Sequence, residues 1–145
     1  MLKKEEHVAP LVKVINEAIE RRADGLLQCY NVTNGQVYLL SVINNMENGE
    51  CTLKELEKEI SFSSAAVAGS VTRLEAKHYI ESFACPGDKR VKCIRITEEG
   101  RRILCTAYRE LCRYEVYLLE DFSAQERTQF MAQLIRVYDK TISVE

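Results

Sequence analysis

The side chains with the most chemical potential gather between positions 61 and 97. Arg73, Lys77, Lys89, Arg90, Lys92 and Arg95 stand there against only Glu75, Glu81 and Asp88. This excess of +3 lies in a chain of net charge −2, so the remainder carries −5. A basic island on an acidic body can face phosphate with one side only. Ser63, Ser64 and Thr72 add hydroxyl donors, and Gly69 adds a position where a backbone can approach closely. Together these residues can grip a phosphate backbone and reach base edges in a groove. Arg90 is the leading candidate. It follows the turn sequence Pro86-Gly87-Asp88-Lys89, with Asp88 two residues earlier to orient it. Arg73 has two roles open to it, a phosphate contact or an ion pair with Asp88 that sets the turn.

The second chemical set is six cysteines, at 29, 51, 85, 93, 105 and 112. There is no Cys-x-x-Cys, and neither His7 nor His78 stands at ligand spacing from a cysteine, so no metal site is expected. Reduced thiols packed as small apolar residues are the default for such a chain. Redox sensing is the alternative, with Cys29, Cys105 and Cys112 as its candidates. Cys29 falls at the C-terminal end of a helix, where the dipole opposes a thiolate. Cys105 and Cys112 lie two turns apart on one helix, too far to bridge directly. A two-residue turn at Gly87-Asp88 pairs Cys85 with Arg90 and not with Cys93; a longer wing loop would bring the two thiols nearer, but a bridge is not the expectation there.

No catalytic constellation emerges. The sequence holds no phosphate-binding glycine loop, no nucleophile elbow and no paired acid and base, and no cofactor is implied. At 145 residues with 46% apolar and 29% charged side chains, a single globular domain is expected. No run of about 18 apolar residues could span a membrane. The opening MLKKEEHVAP lacks the apolar stretch of a secretory signal, so a cytoplasmic location is expected.

The elements that must position these residues follow from apolar periodicity and capping signals. Lys3 to about Cys29 reads as a helix with one stripe through Val8, Leu11, Val12, Ile15, Ala18, Ile19 and Leu26. Thr33 with Gln36 is a capping box that opens a helix running to Asn44-Asn45. Thr52 with Glu55 opens a short helix with Leu53, Leu56 and Ile60 inward. Ser61-Phe62-Ser63 is a turn, and the next helix runs from about Ser64 to His78 with Val67, Val71 and Leu74 inward. Its outer face offers Ala65, Ala68, Gly69, Thr72, Arg73 and Ala76. Tyr79 to Ala84 and Val91 to Ile96 read as a hairpin with a basic tip. Thr97 opens a long helix with Ile103, Leu104, Ala107, Leu111, Tyr114 and Leu118 on its stripe. Ser123 with Glu126 opens the last helix, with Phe130, Leu134, Ile135, Val137 and Tyr138 inward. The expected class is mainly α with a small β-wing. A winged helix-turn-helix over 33–97 is flanked by terminal helices at 3–30 and 98–142, whose apolar faces exceed what one small domain needs.

These motifs resemble the MarR family of bacterial transcription regulators. Thr33-Asn34-Gly35-Gln36 is similar to the family's opening of helix 2, and Thr52-Leu53-Lys54-Glu55-Leu56 to that of helix 3. Val71-Thr72-Arg73-Leu74-Glu75-Ala76-Lys77-His78 resembles the end of its recognition helix. Asp88-Lys89-Arg90 is similar to its wing tip, and Ile96-Thr97-Glu98-Glu99-Gly100 to the opening of its helix 5. The likeness covers about residues 5 to 142, in order.

The resemblance implies a homodimer joined through the terminal helices. It implies a palindromic operator in double-stranded DNA, with the helix at about 64–78 in the major groove and the wing at 79–97 on the minor groove or backbone. It also implies repression relieved by a small aromatic or lipophilic effector, bound between the winged module and the dimerisation helices. Thiol oxidation is the family's other release. Its thiol sensors resemble one another in a cysteine near the start of helix 1, whereas Cys29 lies at the far end. Tyr30, Tyr38, Tyr108, Tyr114 and Tyr117 can line an aromatic pocket or simply pack the core. Two departures stand out: His78 where the family has glycine, and the small Ala68-Gly69-Ser70 in the recognition helix. A protein-interaction adaptor with the same winged fold is the reading of another class, and the basic wing separates the two.

Overall fold

The computed structural model describes residues 7–143. The chain divides into two compact units, Met1–Leu111 and Cys112–Glu145. In the first, α1 (Val8–Leu27) ends in a 3₁₀ turn at Gln28–Tyr30. The expected start of α1 at Lys3 lies outside the described residues. Next come α2 (Asn34–Asn45), β1 (Glu50–Thr52), α3 (Leu53–Glu59), α4 (Ser64–Ala76), β2 (Ile80–Cys85) and β3 (Asp88–Ile96). Helix α5 (Glu98–Leu118) spans the boundary between the units, and α6 (Ala124–Ile142) follows in the second.

Each predicted capping box is present. Thr33, Thr52 and Ser123 accept from the backbone N–H three residues on, while Gln36, Glu55 and Glu126 accept from the cap backbone. These boxes satisfy N–H groups that the first turn leaves unpaired, so three helix starts are decided within four residues of sequence. Thr97 caps α5 in the same way, accepting from Gly100 N at 3.0 Å.

The core of the first unit lies between the helices and the sheet. Leu39, Leu40 and Ile43 of α2, Leu56 of α3, Val67, Val71 and Leu74 of α4, and Ile80, Ile94 and Ile96 of the sheet form one buried cluster. A satellite joins Leu27, Val32, Val37 and Ala107. Every inward position expected for α3 and α4 is buried or partly buried there.

The sheet has one strand more than the sequence suggested. It is antiparallel in the order β1-β3-β2, and β1 sets Glu50, Cys51 and Thr52 opposite Arg95, Ile94 and Cys93. Three residues are too short a run to give a local strand signal, although Cys51 is buried between Glu50 and Thr52; β1 exists because β3 offers it a free edge. The end of α4 also differs. The helix stops at Ala76, and His78 takes the left-handed conformation at φ 59°. Tyr79 N donates to Leu74 O and His78 N to Glu75 O, a Schellman motif with histidine where glycine is usual.

The helix stripes read as inward diverge from expectation. On α1 only Ala23 and Leu27 are buried, while Val8, Leu11, Val12 and Ile15 are exposed. In the second unit α6 buries nothing, and Phe130, Met131, Leu134, Ile135, Val137 and Tyr138 are all exposed. These stripes have helical period, but this chain does not cover them.

Candidate nucleic-acid interface

The interface is built on α4. Its buried stripe of Val67, Val71 and Leu74 fixes its rotation, which leaves Ser64, Ala65, Thr72, Arg73 and Ala76 exposed. Small residues along this face let a backbone approach a groove closely. Four of the expected contacts on and beside α4 are already engaged within the chain. Ser63 is the N-cap, its hydroxyl accepting from Ala66 N at 3.3 Å. The Thr72 hydroxyl donates to Ala68 O one turn back, at 3.0 Å. Arg73 lies along its own helix and donates to Ser70 Oγ at 3.1 Å, its guanidinium passing over Gly69. Of its two open roles, the ion pair with Asp88 is not formed, because Asp88 takes Arg90 instead.

Lys77 is the candidate with the most distant partners within the chain. Its ammonium donates to Asn31 O at 2.5 Å and to Gln36 Oε1 at 3.2 Å. Gln36 is the buried polar side chain of the core and also completes the Thr33 capping box. Lys77 therefore ties the end of α4 to the α1–α2 loop, where Asn31 holds a left-handed φ of 55°. Sequence separation of 46 and 41 residues hid both partners.

The junction from α4 into the wing is locked at its base. Thr97 Oγ1 donates to His78 O at 2.7 Å, and Thr97 N donates to Tyr79 O at 3.0 Å. Gly100 sits against the same Tyr79 carbonyl, where a Cβ would collide. The apolar-Thr-x-x-Gly motif thus joins the end of the wing to the end of α4.

The wing carries two cations outward. Arg90 donates through Nε to Asp88 Oδ1 at 3.2 Å, and its backbone N–H reaches the same oxygen at 3.0 Å. The Arg90 side chain is 91% exposed, so it is oriented without being covered. Lys89 is exposed and has no ion pair among the described residues. The other wing cations are committed. Lys92 pairs with Glu75 of α4 at 3.3 Å. Arg95 bridges Glu50 of β1 at 3.0 Å and Glu81 of β2 at 2.7 Å, and it lies over the Phe83 ring. Beside the wing, Lys54 and Lys58 of α3 line an open cleft with Val91 and Lys92. They lie outside the basic island of 61–97.

The hairpin is less regular than expected. The turn is Pro86-Gly87, with Gly87 at φ 95°, so Cys85 faces Asp88. The register then jumps, and Ala84 faces Lys92. Lys89, Arg90 and Val91 form an excursion on β3 with no partners on β2. This shift brings Cys85 and Cys93 to a Cα separation of 5.2 Å, and the two are joined as a disulfide. The expectation of no bridge is corrected here: it took the turn at Gly87-Asp88, whereas the turn is Pro86-Gly87 and the register shifts past Ala84. Cys29, Cys105 and Cys112 are free and exposed, whereas Cys51 is buried. Burial, and then nearby Glu55, push the Cys51 thiol up to about 11.

No group of three or more His, Cys, Asp or Glu among the described residues is placed to hold a metal. The tyrosines have separate settings. Tyr38 meets Phe62 edge-on, Tyr30 packs on the satellite cluster, Tyr114 and Tyr117 stack on each other, and Tyr108 is exposed. An open cleft of about 490 Å³ lies where α1, α2 and α4 meet, lined by Asp24, Gln28, Thr33, Arg73 and Lys77 among others.

Comparison with known proteins agrees with this geometry. Residues 30–91 match the model of the MarR family. The chain is 29% identical over 119 residues to the HTH-type transcriptional regulator BilQ of Clostridioides difficile, covering 82% of this chain and 79% of that protein. Among solved structures, a mutant of E. coli MarR complexed with operator DNA superposes with a TM-score of 0.76 at 23% identity, covering 88% of this chain and 90% of that one. The S. aureus MepR–DNA complex superposes at 0.78 and 20% identity, covering 96% and 99%. At such identities these structures establish the fold.

Proposed function

We propose that the chain is a member of the MarR family, whose model matches residues 30–91, and that it is a DNA-binding transcriptional regulator acting as a homodimer on a palindromic operator. The observation that carries this reading is the wing tip. Arg90 is held by Asp88 yet almost fully exposed, at the end of a hairpin rooted on the α4 C-terminus. That is the arrangement of a cation preorganised for phosphate or a narrow minor groove. Helix α4, with its small outer face, is the element for the major groove, and Ser64, Gly69 and Thr72 are its candidates there, Thr72 through the hydroxyl oxygen that its bond to Ala68 O leaves able to accept. Lys77 acts by holding that helix in place, while Arg73, exposed and bonded to Ser70 of its own helix, keeps its phosphate role.

Dimerisation is supported by the apolar residues that α1 and α6 leave uncovered. Exposed apolar stripes of this extent mark an interface, and a second copy of the chain is the partner that a palindromic operator requires. Repression in the cytoplasm, released by a small aromatic or lipophilic effector, completes the reading. The cleft between α1, α2 and α4 supports it, because a ligand there meets Arg73 and also Lys77, which ties the end of α4 to Asn31 and Gln36. The chain is not an enzyme: the family and relatives it matches are transcriptional regulators.

The test is a mobility shift with the DNA upstream of the chain's own coding sequence at two salt concentrations. A specific complex that weakens steeply with salt supports the reading. Absence of a specific complex at any salt, with the protein folded, would sink it in favour of an interaction adaptor.

A further inference from the structure

We propose that Cys85 and Cys93 form a reversible redox modification site, oxidised by a hydroperoxide, that sets the conformational freedom of the wing tip. The bond closes the loop between residues at a sequence separation of 8. Within that loop lie Asp88, Lys89 and Arg90, and also the three-residue excursion that has no ladder partners. A segment without cross-strand bonds is held only by its ends and by whatever links them. Here the turn and the disulfide are those links.

Three observations make the bond a switch and not a structural staple. The ladder from Ile80–Ile96 to Ala84–Lys92, together with β1 on the other side, holds the base of the wing without it. Breaking the bond therefore frees the tip and leaves the fold. The closed loop is short, and short loops gain less stability from cross-linking than long ones. Both sulfurs also line an open cleft of about 570 Å³ and are only half-buried, so small molecules reach them. A DNA-binding protein works among reducing thiols, where an accessible disulfide is transient and responsive.

The oxidant class follows from the cleft. Glu47, Glu50, Glu55 and Glu59 line it against Lys58, with Glu50 also paired to Arg95, a net acidic lining that disfavours anionic oxidants and admits an uncharged hydroperoxide. One thiol, as thiolate, attacks the peroxide oxygen, breaking the O–O bond and giving a sulfenic acid and an alcohol (or water). The second thiol attacks that sulfenic sulfur, forms the S–S bond and releases water. Two thiols and one hydroperoxide thus give one disulfide, one alcohol and one water. Two equivalents of a reducing thiol reverse the change and leave as their own disulfide. Cys51 lines the same cleft but is buried, with a thiol near pKa 11, and takes no part.

Lys89, Arg90 and Lys92 make the tip a reporter of its own freedom, because trypsin cleaves after each. The full chain is reduced with dithiothreitol or oxidised with hydrogen peroxide, and the pairing is mapped by alkylation and mass spectrometry. Oxidation is expected to yield Cys85–Cys93 and to slow tryptic cleavage within the tip at least about fivefold, as suits a shift in local opening. The Cys85→Ser/Cys93→Ser variant should behave as the reduced protein under both treatments. Failure of the pair to form, or equal cleavage in both states, overturns the proposal, and the wild-type comparison stands even if the variant misfolds.

The consequence for operator binding rests on the function proposed above. A prefixed wing tip loses less freedom on binding, so reduction should weaken the complex with the upstream DNA fragment about five- to tenfold. Unchanged or tighter binding on reduction, alongside altered cleavage, would overturn this consequence. No complex in either state, with redox-dependent cleavage intact, would keep the redox site and remove the DNA reading instead.

Discussion

Arg90 and His78 are single residues whose environments make opposite demands. Arg90 is oriented but uncovered, so its removal should leave the fold intact. Arg90→Ala is expected to shift stability by less than about 0.5 kcal/mol. The same change should weaken operator binding about tenfold and lower the slope of log affinity against log salt by about 1. A salt titration of the mobility shift checks both. His78 carries a side chain at a left-handed φ of 59°, where a Cβ is unfavourable. His78→Gly is therefore expected to stabilise the protein by roughly 0.5–1 kcal/mol, the relief of strain exceeding the greater freedom of an unfolded glycine. A raised urea midpoint at unchanged slope would show it.

At the scale of elements, the C-terminal end of α4 is held by contacts its own sequence does not announce. Lys77 reaches Asn31 O and the buried Gln36, so its loss leaves Gln36 with one partner fewer. Lys77→Met keeps most of the apolar stem and should cost about 1–2 kcal/mol of stability. Any fall in DNA affinity beyond that of a wild-type protein at equal folded fraction would then report α4 tilting, not a lost phosphate contact. The capping boxes carry a pH signature. The Thr52 backbone N–H, and then its hydroxyl, hold the Glu55 carboxyl below its ordinary value. The Ser123 hydroxyl, and then its backbone N–H, do the same for Glu126. A lowered folded pKa means these groups stabilise the fold fully above the unfolded glutamate value of about 4.3. That stability is lost as pH falls through the lower folded values. Thermal melts between pH 7 and 3 should therefore decline mainly at the acid end, and the Glu55→Gln/Glu126→Gln variant should show a shallower decline.

At the scale of the molecule, the question is what covers the apolar faces. Val12 and Ile15 of α1, and Leu134 and Ile135 of α6, are more than a third exposed in the isolated chain. If a second copy covers them, sedimentation should give twice the chain mass of 16.6 kDa. Ile15→Glu and Leu134→Glu, each placing a charge in that interface, should shift the protein toward monomer. Because a palindromic operator rewards two linked modules, each variant should also lose most of its operator affinity while retaining the wing intact. A monomeric wild type with full affinity would contradict the reading.

The parts legible in the sequence were those specified within a few residues. Three capping boxes, the turn before α4, the inward stripes of α3 and α4, and the Asp88–Arg90 pairing all stood in local spacing, because a cap or an i,i+2 contact is closed by neighbours. The family likeness rested on those same local motifs. Tertiary structure decided whatever depended on distant partners. It gave Lys77 to Asn31 and Gln36, Lys92 to Glu75, and Arg95 to Glu50 and Glu81. In doing so it engaged Lys77, Lys92 and Arg95 in contacts within the chain, with Lys92 and Arg95 still exposed, and left Lys89 and Arg90 at the tip. It also made β1 by lending it an edge of β3, and shifted the wing register so that Cys85 met Cys93. A carboxylate's choice among several cations, or a strand's choice of register, depends on relative position in three dimensions, which local spacing does not contain.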